Sequence, residues 1–533
     1  MTSATMPQAP SLEEAASLAP EQIVELVRTQ AALREEVATL KHQLDWFKRQ
    51  LFGQKSERRI VDDSSAQMSL GEALNVAQST PAPPPVQRRV AAHTRRAASK
   101  KADVGDDSVP FFDETRVPVE VIELPAPEAE GLAPEDYEVI GHKESFRLAQ
   151  RPGATVVIKY RRAVIKLKTE ERIVCASAPL GVIEGSRADV SFVAGLLIDK
   201  FAYHLPLYRQ HQRLCDQGIA VSRPWLTQLG QQGVGLLDPI YEAQFDSIRS
   251  SRVIAMDETP IKAGRDGPGK LKEGYFWPVY GQLDEVCFPY FESRRSEHVG
   301  QALGLTPAEG AVLLSDGYRA YARYAQKVGL THAQCWAHTR RKLFEARDIE
   351  PQAANHALDL IGGLYAVEDH IRERRLGGER KRLYRLAHAK PIVETFFAWV
   401  NAQFEAQGLL PSNPLLKALG YARDRRCGLE VYLNDPDVPI DTNHLERALR
   451  AVPMGRKNWL FSWTELGARH VGIMHSLIVT CRLHQIDPYD YLVDVLQRVG
   501  QHPASRVAEL TPRLWKTHFA ANPLRSVVYK KPL

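Results

Sequence analysis

Nine residues with the sequence RVIAMDETP, at positions 252–260, constrain the fold more than any other stretch of the chain. Four apolar residues, from Val253 to Met256, run directly into Asp257, and Pro260 follows closely. A short apolar run bounded by turn residues predicts a buried central strand that ends at the acid. Because open α/β sheets bind ligands at the carboxyl ends of their strands, Asp257 is a candidate functional carboxylate.

Two further acids extend this pattern. The stretch AVLLSDG at 311–317 predicts a second buried strand that ends at Asp316, and DTNHLERALR at 441–450 predicts a capped helix with Glu446 in its first turns. Carboxylates at the ends of buried strands are typical of a divalent-metal site built from oxygen ligands. Each aspartate alone could instead cap the helix or turn that follows it, but the three acids together favour the metal site.

The order of predicted elements around these acids indicates the fold class. After a polar loop, the predicted elements are strands at 275–282 and 285–292, a helix at 296–303, the Asp316 strand, a helix at 318–328 and a strand at 331–336. This order predicts an α/β fold with a ribonuclease-H-like mixed sheet, in which the first and fourth strands are neighbours. We therefore expect Asp257 and Asp316 to lie together in a catalytic domain at 246–500, with a mostly helical insertion at 341–440.

Two motifs inside this domain have competing interpretations. GRDGPGK at 264–270 matches the GxxxxGK phosphate-loop pattern, but Leu271 replaces the required Ser or Thr and the motif joins two predicted strands, so a nucleotide site is rejected. Cys335 and His338 form a CxxH pair. The pair is either half of a zinc site or, as we favour because no second half is visible, a packing and orienting element.

The first 108 residues predict an oligomerisation segment and a tether. Residues 1–20 are expected to be disordered, and 21–55 carry apolar residues at a/d heptad spacing, with Gln30 as the one polar position on the seam. We expect a leucine-zipper coiled coil with a second copy; the alternative is one amphipathic helix docked on its own protein. Residues 56–108 are a Pro-rich basic linker, which either contacts phosphates or is simply a solvated tether.

DNA binding is predicted for two regions. Residues 109–185 read as a small, lysine- and arginine-rich β unit, and 186–245 as helices with a helix-turn-helix pattern, whose second helix begins at the Ser222 cap and Arg223. Helical hairpins without DNA are the alternative. In the catalytic domain, candidate contacts to the DNA backbone and an unstacked base are Arg447, Arg450, Arg456, Lys457 and Trp459. The stretch 455–459 could instead be an ordinary basic surface loop.

Composition excludes several classes. The net charge of +5 is mild, so nucleic-acid binding depends on local clusters. Six scattered cysteines without a CxxC pair argue against a disulfide framework and fit a reducing cytosol. No signal peptide and no run of 18 apolar residues is present, so we expect a cytoplasmic protein that does not contact the membrane. The tail at 501–533 is uninformative.

Several motifs together resemble one known family. They are LFGQKSER, LPLYRQHQRL, DETP, SDGYRAY, CWAHTRRKLF, ERALRAVPMGRKNWLF and DPYDYL. The set is similar to the large transposase of insertion sequence family sixty-six, a DDE-type bacterial enzyme. The resemblance implies that Asp257, Asp316 and Glu446 are the DDE triad, and it implies a leucine zipper, a DNA-binding segment before the core and small accessory proteins. Many relatives carry a cysteine-rich zinc finger before the core, whereas this region offers only Cys175, so zinc-dependent binding is not expected.

The expected function is therefore Mg²⁺-dependent cleavage and strand transfer of transposon ends. Two Mg²⁺ ions, for which Mn²⁺ can substitute, would be held by Asp257 between them, by Asp316 on one and by Glu446 on the other. The partners would be double-stranded DNA of transposon ends and target, at the bacterial nucleoid. Two alternatives stay open: a structure-selective nuclease, or a DNA-binding protein on a catalytically decayed scaffold.

Overall fold

The computed structural model describes residues 110–529, except positions 114, 116, 131, 134, 135, 152, 153, 169, 170, 268 and 407, together with scattered positions between 19 and 37. Of the predicted coiled coil at 21–55, the described positions from 22 to 37 are helical and exposed. The rest of that segment, the linker at 56–108 and nearly all of the segment at 1–20 lie outside the described residues.

A four-stranded sheet forms the first described unit. Its strands are β1 (Val119–Leu124), β2 (Tyr137–Arg151), β3 (Ala154–Leu167) and β4 (Arg172–Cys175). The order is β1-β3-β2, and β4 pairs with β3. β1 and β3 were expected from alternating apolar residues. β2 was missed because Gly141 and a register shift between Val139 and Gly141 interrupt its alternation.

Three helices follow, and their first turns obey the capping rules. They are α1 (Val190–Phe201), α2 (Leu207–Asp216) and α3 (Arg223–Arg249). The Ser191 amide donates to Asp189, at 2.9 Å, and the Trp225 amide donates to the Ser222 hydroxyl, at 3.3 Å. α3 runs on past 245, and near its end the buried Gln244 side chain donates to the carbonyl of Val286 at 2.9 Å. The helix that begins at the predicted recognition site therefore ends against the central sheet.

The central sheet has five strands. They are β5 (Val253–Met256), β8 (Val279–Gly281), β9 (Glu285–Cys287), β11 (Val312–Ser315) and β12 (Thr331–Gln334). Their order is β12-β11-β5-β8-β9, with β5 antiparallel to β8 and parallel to β11. The predicted pairing of the first and fourth strands is confirmed, because Val253, Ile254 and Ala255 pair with Val312, Leu313 and Leu314.

Two predicted strands were wrong in their extent. The stretches 275–282 and 285–292 each break before a proline, Pro278 and Pro289, and each contributes to two different sheets. Proline lacks an amide donor and has a fixed φ, so it interrupts a ladder of hydrogen bonds. The two breaks lie side by side, because the amide of Trp277, just before Pro278, donates to the carbonyl of Pro289 at 2.9 Å.

The second sheet also corrects the loop predicted after Asp257. Its strands are β6 (Thr259–Arg265), β7 (Leu271–Phe276) and β10 (Tyr290–Phe291), in the order β10-β7-β6. β6 and β7 form an antiparallel hairpin within the predicted loop, and the GxxxxGK motif lies at its turn, so it joins two strands, although the first of them was not predicted. Pro260 lies within β6, which tolerates proline because it is the edge strand.

Helices make up the remainder. α4 (Glu297–Leu303) and α5 (Arg319–Val328) flank β11, and five helices fill the region where the insertion was expected: α6 (Trp336–Ala346), α7 (Pro351–Glu373), α8 (Gly378–Glu405), α9 (Pro414–Arg423) and α10 (Arg426–Asn434). The last helices are α11 (Asn443–Leu449), α12 (Ala451–Trp459), α13 (Glu465–Leu483), α14 (Pro488–Arg498) and α15 (Pro512–His518).

The protein is thus a mixed α/β structure with a shared core. The largest cluster of buried apolar side chains extends from Val117 in the first unit to Trp515 in α15, and it includes the central sheet and the insertion. No helix in the described part of the chain has both the length and the apolarity needed to cross a bilayer.

Candidate active site

Asp257 follows the last residue of the central strand β5. Its amide donates to the carbonyl of Pro278 at 3.3 Å, and one carboxylate oxygen accepts the amide of Glu258 at 2.8 Å. Burial raises the pKa of Asp257 to about 7, with further increases from the charges of Glu258, Asp316 and Glu446 and an opposing effect of the Glu258 amide. The carboxylate therefore lies where negative charge accumulates and solvent is scarce.

Asp316 lies beside Asp257 because β5 and β11 are parallel neighbours. The last recorded pair of the ladder is Ala255 with Leu314, and each acid is two residues beyond its member of that pair. One oxygen of Asp316 accepts the amide of Tyr318 at 2.8 Å, so Asp316 also caps the turn before α5. The two roles that the sequence left open, turn cap and member of an acidic pair, coexist.

Glu446 reaches the same region from α11. Its Oε2 lies 3.3 Å from a guanidinium nitrogen of Arg341, and its Oε1 lies 3.8 Å from Nε2 of His338. Oε1 is buried and accepts no hydrogen bond. Burial lowers the pKa of His338, so that imidazole is neutral at physiological pH and its contact with Glu446 is not an ion pair. An unsatisfied buried carboxylate oxygen is unusual and suits a ligand atom.

The CxxH pair serves to position α11. The Sγ atom of the buried Cys335 accepts from both the amide and the hydroxyl of Thr442, each at 3.3 Å, and His338, one turn further along, faces Glu446. Asp441 accepts the amide of Asn443 at 3.0 Å and the hydroxyl of Tyr365 at 2.9 Å. These contacts fix the chain where it enters the Glu446 helix, which agrees with the orienting interpretation.

Glu258 is the functional candidate that sequence reasoning missed. Its buried side chain accepts from Nε of Arg294 at 2.8 Å and from the hydroxyl of Tyr321. Arg294 in turn lies 4.4 Å from the ring of Tyr318, whose hydroxyl donates to the Arg294 carbonyl at 2.6 Å. This network ties the residue after Asp257 to α5, the helix that follows Asp316. The signal was present in the DETP motif, where a second acid adjoins the first.

A second brace holds the Asp316 turn from the insertion. Arg425, at the start of α10, donates to the carbonyl of Gly317 at 3.0 Å, and a Cβ atom at position 317 would clash with that guanidinium. His332 on β12 contacts the Ser315 hydroxyl at 2.8 Å, and burial lowers the pKa of His332 to about 4, so the ring is neutral. A side chain at position 317 would therefore have to displace the ends of the Arg425 and Tyr421 side chains.

The predicted DNA contacts fall into two places. Arg447 and Arg450, one and four residues after Glu446, are exposed, as is Lys457 on α12. Ser222 and Arg223 are exposed at the start of α3, roughly 33 Å of helix away from the end at Gln244 that meets the central sheet. Arg447 and Arg450 are therefore on or beside the helix that carries Glu446, whereas Ser222 and Arg223 lie at the opposite end of α3 from its contact with the central sheet.

The stretch 455–459 is helical, so its interpretation as a surface loop was wrong. It forms the second half of α12, where Arg456 donates to the carbonyl of Pro260 and is half-buried. Trp459 is also half-buried: its indole lies over Gly455, where a Cβ atom would come within 2.7 Å of Nε1. The propensity of Gly455 and Asn458 for turns is overridden by this packing.

The three acids offer the type of ligand atom that a hard divalent cation prefers. Asp257, Asp316 and Glu446 offer carboxylate oxygens, the ligands that Mg²⁺ prefers, and one of them is the unsatisfied Oε1 of Glu446. Across the described residues, however, no three His, Cys, Asp or Glu side chains are close enough together to share one ion. The three acids are close enough to interact electrostatically but not close enough to bind one ion together, and Glu446 contacts Arg341 instead.

Three family models match successive parts of the chain. The family model described as "Transposase IS66 family" matches residues 185–470, more than half of the chain, "IS66 C-terminal element" matches 476–513, and "Transposase C of IS166 homeodomain" matches 39–106. Three relatives from Sinorhizobium fredii are similar over most of their length. Uncharacterized protein y4hP is 29% identical, covering 91% of this chain and 90% of its own. Uncharacterized protein y4qI is 30% identical over 74% of each, and y4jD is 26% identical over 93% and 97%.

Proposed function

This chain belongs to the IS66 transposase family, and we propose that it binds transposon ends and catalyses Mg²⁺-dependent DNA cleavage and strand transfer with Asp257, Asp316 and Glu446. One observation carries the proposal. The charges of Asp316 and Glu446 both act on Asp257, although Glu446 is 446 − 257 = 189 residues away along the chain. Such an accumulation of like charge is costly unless a cation or a proton compensates for it.

The sheet supports a ribonuclease-H-like interpretation of the core. The order β12-β11-β5-β8-β9, in which β12, β11 and β5 are parallel neighbours and the β5–β8 and β8–β9 pairs are antiparallel, is the order expected of that fold. In it, the first acid follows the first strand and the second acid follows the fourth. The helices α6 to α10 stand between the second acid and the third.

In this proposal the residues have distinct roles. The three acids would hold two Mg²⁺ ions, or Mn²⁺ in their place. Bound divalent cations lower the pKa of an attacking water or 3′-hydroxyl and stabilise the leaving oxygen. Arg447 and Arg450 would hold the DNA backbone, and the Glu258 network would keep the Asp257 turn rigid. Glu446 must approach the two aspartates more closely to complete the ligand set, so DNA or cation binding is expected to tighten the site.

The partners follow from the same proposal. Ser222 and Arg223, at the end of α3 opposite its contact with the central sheet, would contact DNA outside the cleaved end. A second copy is expected to associate through the coiled coil at 21–55, and small proteins encoded by the same element are expected accessories. The reaction would take place on the bacterial nucleoid.

The test is excision of a marked transposon from a plasmid. Asp257→Asn, Asp316→Asn and Glu446→Gln keep side-chain size but remove charge. Each is expected to lower excision by more than the roughly 10- to 100-fold typical of residues that merely support metal ligands. The control is Asp348→Asn, an exposed acid outside the site, which should excise normally. Near-normal excision by any one of the three variants removes that residue from the triad.

A second candidate is a DNA-binding protein on a decayed catalytic scaffold. It is favoured by one observation, the lack of a converged ligand cluster in the described chain. Binding of transposon ends without nicking in Mg²⁺ or Mn²⁺ would select it, whereas cation-dependent nicking would exclude it. Nicking without joined strand-transfer products would instead indicate a structure-selective nuclease.

A further inference from the structure

Exposed apolar side chains occur from the middle of α12 to the first turn of α13. The large ones are Met454, Leu460, Trp463 and Leu466, which are 56%, 67%, 63% and 54% exposed. We call this set the Trp463 surface. Exposed apolar groups that gather in one short segment, rather than singly, usually mark an interaction site.

The backbone holds this surface outward. The Phe461 amide donates to the carbonyl of Trp459 at 2.7 Å across Leu460, which has φ +61° and ψ −48°. This is a γ-turn of positive φ, a rare and strained conformation for a leucine. Phe461 then packs edge-on against Trp463, with ring centroids 4.9 Å apart. Trp463 is therefore braced by Phe461 and still largely exposed.

The surface is attached to the strand that leaves the candidate active site. The Ser462 amide donates to the carbonyl of Lys262 at 2.9 Å, and the Gly264 amide donates to the carbonyl of Ser462 at 3.2 Å. Lys262 is five residues beyond Asp257, so at most about 18 Å of extended chain separates them. At 3.4 Å per base pair, that is within about five base pairs of duplex.

The charges around the indole favour nucleic acid over protein. The exposed guanidinium of Arg265 lies 5.5 Å from the Trp463 ring, and Lys457 is exposed on the preceding helix. Of the acids at this edge, Glu465 is paired with Lys272 at 3.0 Å, and Asp266 and Glu292 also interact with that lysine. An aromatic face beside cations combines the two features that hold single-stranded nucleic acid: base stacking and phosphate contact.

We propose that the Trp463 surface takes an unpaired base of the DNA substrate, stacked on the indole, with its phosphate at Arg265. The proposal rests on the proposed function, and it moves the base-stacking role from Trp459, which covers Gly455, to Trp463. An unpaired base a few positions from the reacting phosphate would hold the opened end of the duplex at the acids. Base stacking is tolerant of sequence, so the site would act at any end.

The experiment measures binding by fluorescence anisotropy, with the full-length protein in EDTA. Two probes of one mixed sequence are compared: a blunt duplex, and the same duplex with three unpaired nucleotides at one 3′ end. Trp463→Ala is expected to lose about 5- to 100-fold in affinity for the unpaired probe. Its affinity for the blunt duplex should change less than twofold.

Phe344→Ala is the matched control, because Phe344 is also exposed and also lies under a guanidinium, that of Arg347 at 4.3 Å. It should leave binding of both probes unchanged. Trp463→Leu keeps apolar bulk without an aromatic face and should behave like Trp463→Ala, which gives a second variant if alanine impairs folding.

Three results would overturn the proposal: equal losses on both probes, no loss on the unpaired probe, or wild-type binding by Trp463→Leu. A change in oligomeric state of Trp463→Ala, measured by light scattering, would instead assign the surface to a second copy of the chain and would also overturn it. Because the assay contains no divalent cation, its outcome is independent of the triad. Asp257→Asn should retain the preference for unpaired DNA. This result would stand even if normal excision by the same variant contradicted the proposed catalytic role of Asp257.

Discussion

Asp257 carries a charge that the fold disfavours. Burial and neighbouring acids raise the pKa of Asp257 to about 7 in the folded state, compared with about 3.9 in an unfolded chain. A raised folded-state pKa means that the stabilising effect of the bound proton is complete below about pH 4 and is lost as the pH rises through 7. Without divalent cations, Asp257→Asn should therefore raise the Tm, and should raise it more at pH 8 than at pH 5. Thermal unfolding at the two pH values measures this.

Asp435 gives a control of opposite sign. Hydrogen bonds from Arg252 lower the pKa of Asp435, so its contribution to stability is present above its ordinary pKa and is lost as the pH falls. Asp435→Asn should lower the Tm at pH 8. If Asp257→Asn also lowers the Tm at pH 8, or raises it equally at both pH values, the charge of Asp257 is not the one that the fold disfavours.

The three candidate acids could be identified from the sequence, but the contacts of their side chains could not. Asp257, Asp316 and Glu446 stand out because two of them end apolar runs and the third follows a helix cap. The contact of Glu446 with Arg341 and His338 spans more than a hundred residues, and no local pattern encodes it. Trp463 was overlooked in favour of Trp459, because the γ-turn that exposes one and the Gly455 packing that covers the other leave no periodic signal.

Among the elements, α13 packs against the sheets more closely than a side chain permits. A Cβ atom at Gly472 would overlap the carbonyl oxygen of Phe288, and the hydroxyl of Ser476 accepts the Phe288 amide at 2.9 Å. Gly472→Ala should therefore push the helix from the strand end and destabilise the protein by about 1–3 kcal/mol, as overpacking does. Denaturant unfolding measures the change.

Gly235→Ala is the matched control, because Gly235 is also inside a helix, α3, but a Cβ atom there would meet nothing within 4 Å. Removing the flexibility of that glycine should stabilise the protein by about 0.5–1 kcal/mol. A neutral or stabilising effect of Gly472→Ala would show that α13 can shift without loss.

The elements also show where local pattern stops being informative. The buried strands β5 and β11 and the capped helices α1 and α3 were predictable, because apolar runs and Asp or Ser caps act over a few residues. Aromatic and β-branched residues lie on both sides of Pro278 and of Pro289. Strand propensity alone therefore predicted one continuous strand at each place, whereas the structure has two short strands in different sheets. The hairpin of β6 and β7 was hidden by its polar, glycine-rich composition.

Across the whole molecule, one buried arginine links the insertion to the third acid. Arg385 on α8 is fully buried and binds both carboxylate oxygens of Glu368 on α7, at 2.7 and 2.8 Å. Its remaining nitrogen donates to the carbonyls of Tyr432, Asp435 and Val438. The chain that leads from α10 to Glu446 is therefore held by the two long helices of the insertion.

Arg385→Met should cost about 3–5 kcal/mol, because it leaves the Glu368 carboxylate buried without a partner. Proteolytic cleavage near 435–441 should become faster, and excision should fall. Arg382→Met on the same helix removes only an exposed pair with Glu379 and should change neither. Unchanged proteolysis of Arg385→Met would mean that the segment is held by other contacts.

The order of the central sheet could be predicted from the order of its elements, since only a few connections are topologically favourable. The core that the first unit shares with the central sheet could not be predicted. α3 begins at an exposed cap, and near its other end Gln244 donates to β9. Such a contact depends on long-range packing, which dividing the sequence into consecutive domains does not reveal.

The position of the insertion has a consequence for synthesis. The ribosome synthesises the two aspartates, and then α6 to α10, before it reaches Glu446. A polypeptide that ends prematurely within those helices would have Ser222 and Arg223 to occupy DNA but would lack one of the three acids. On the proposed chemistry such fragments are inert toward the host chromosome and compete with the complete protein, so faulty translation would restrain the element rather than damage the cell.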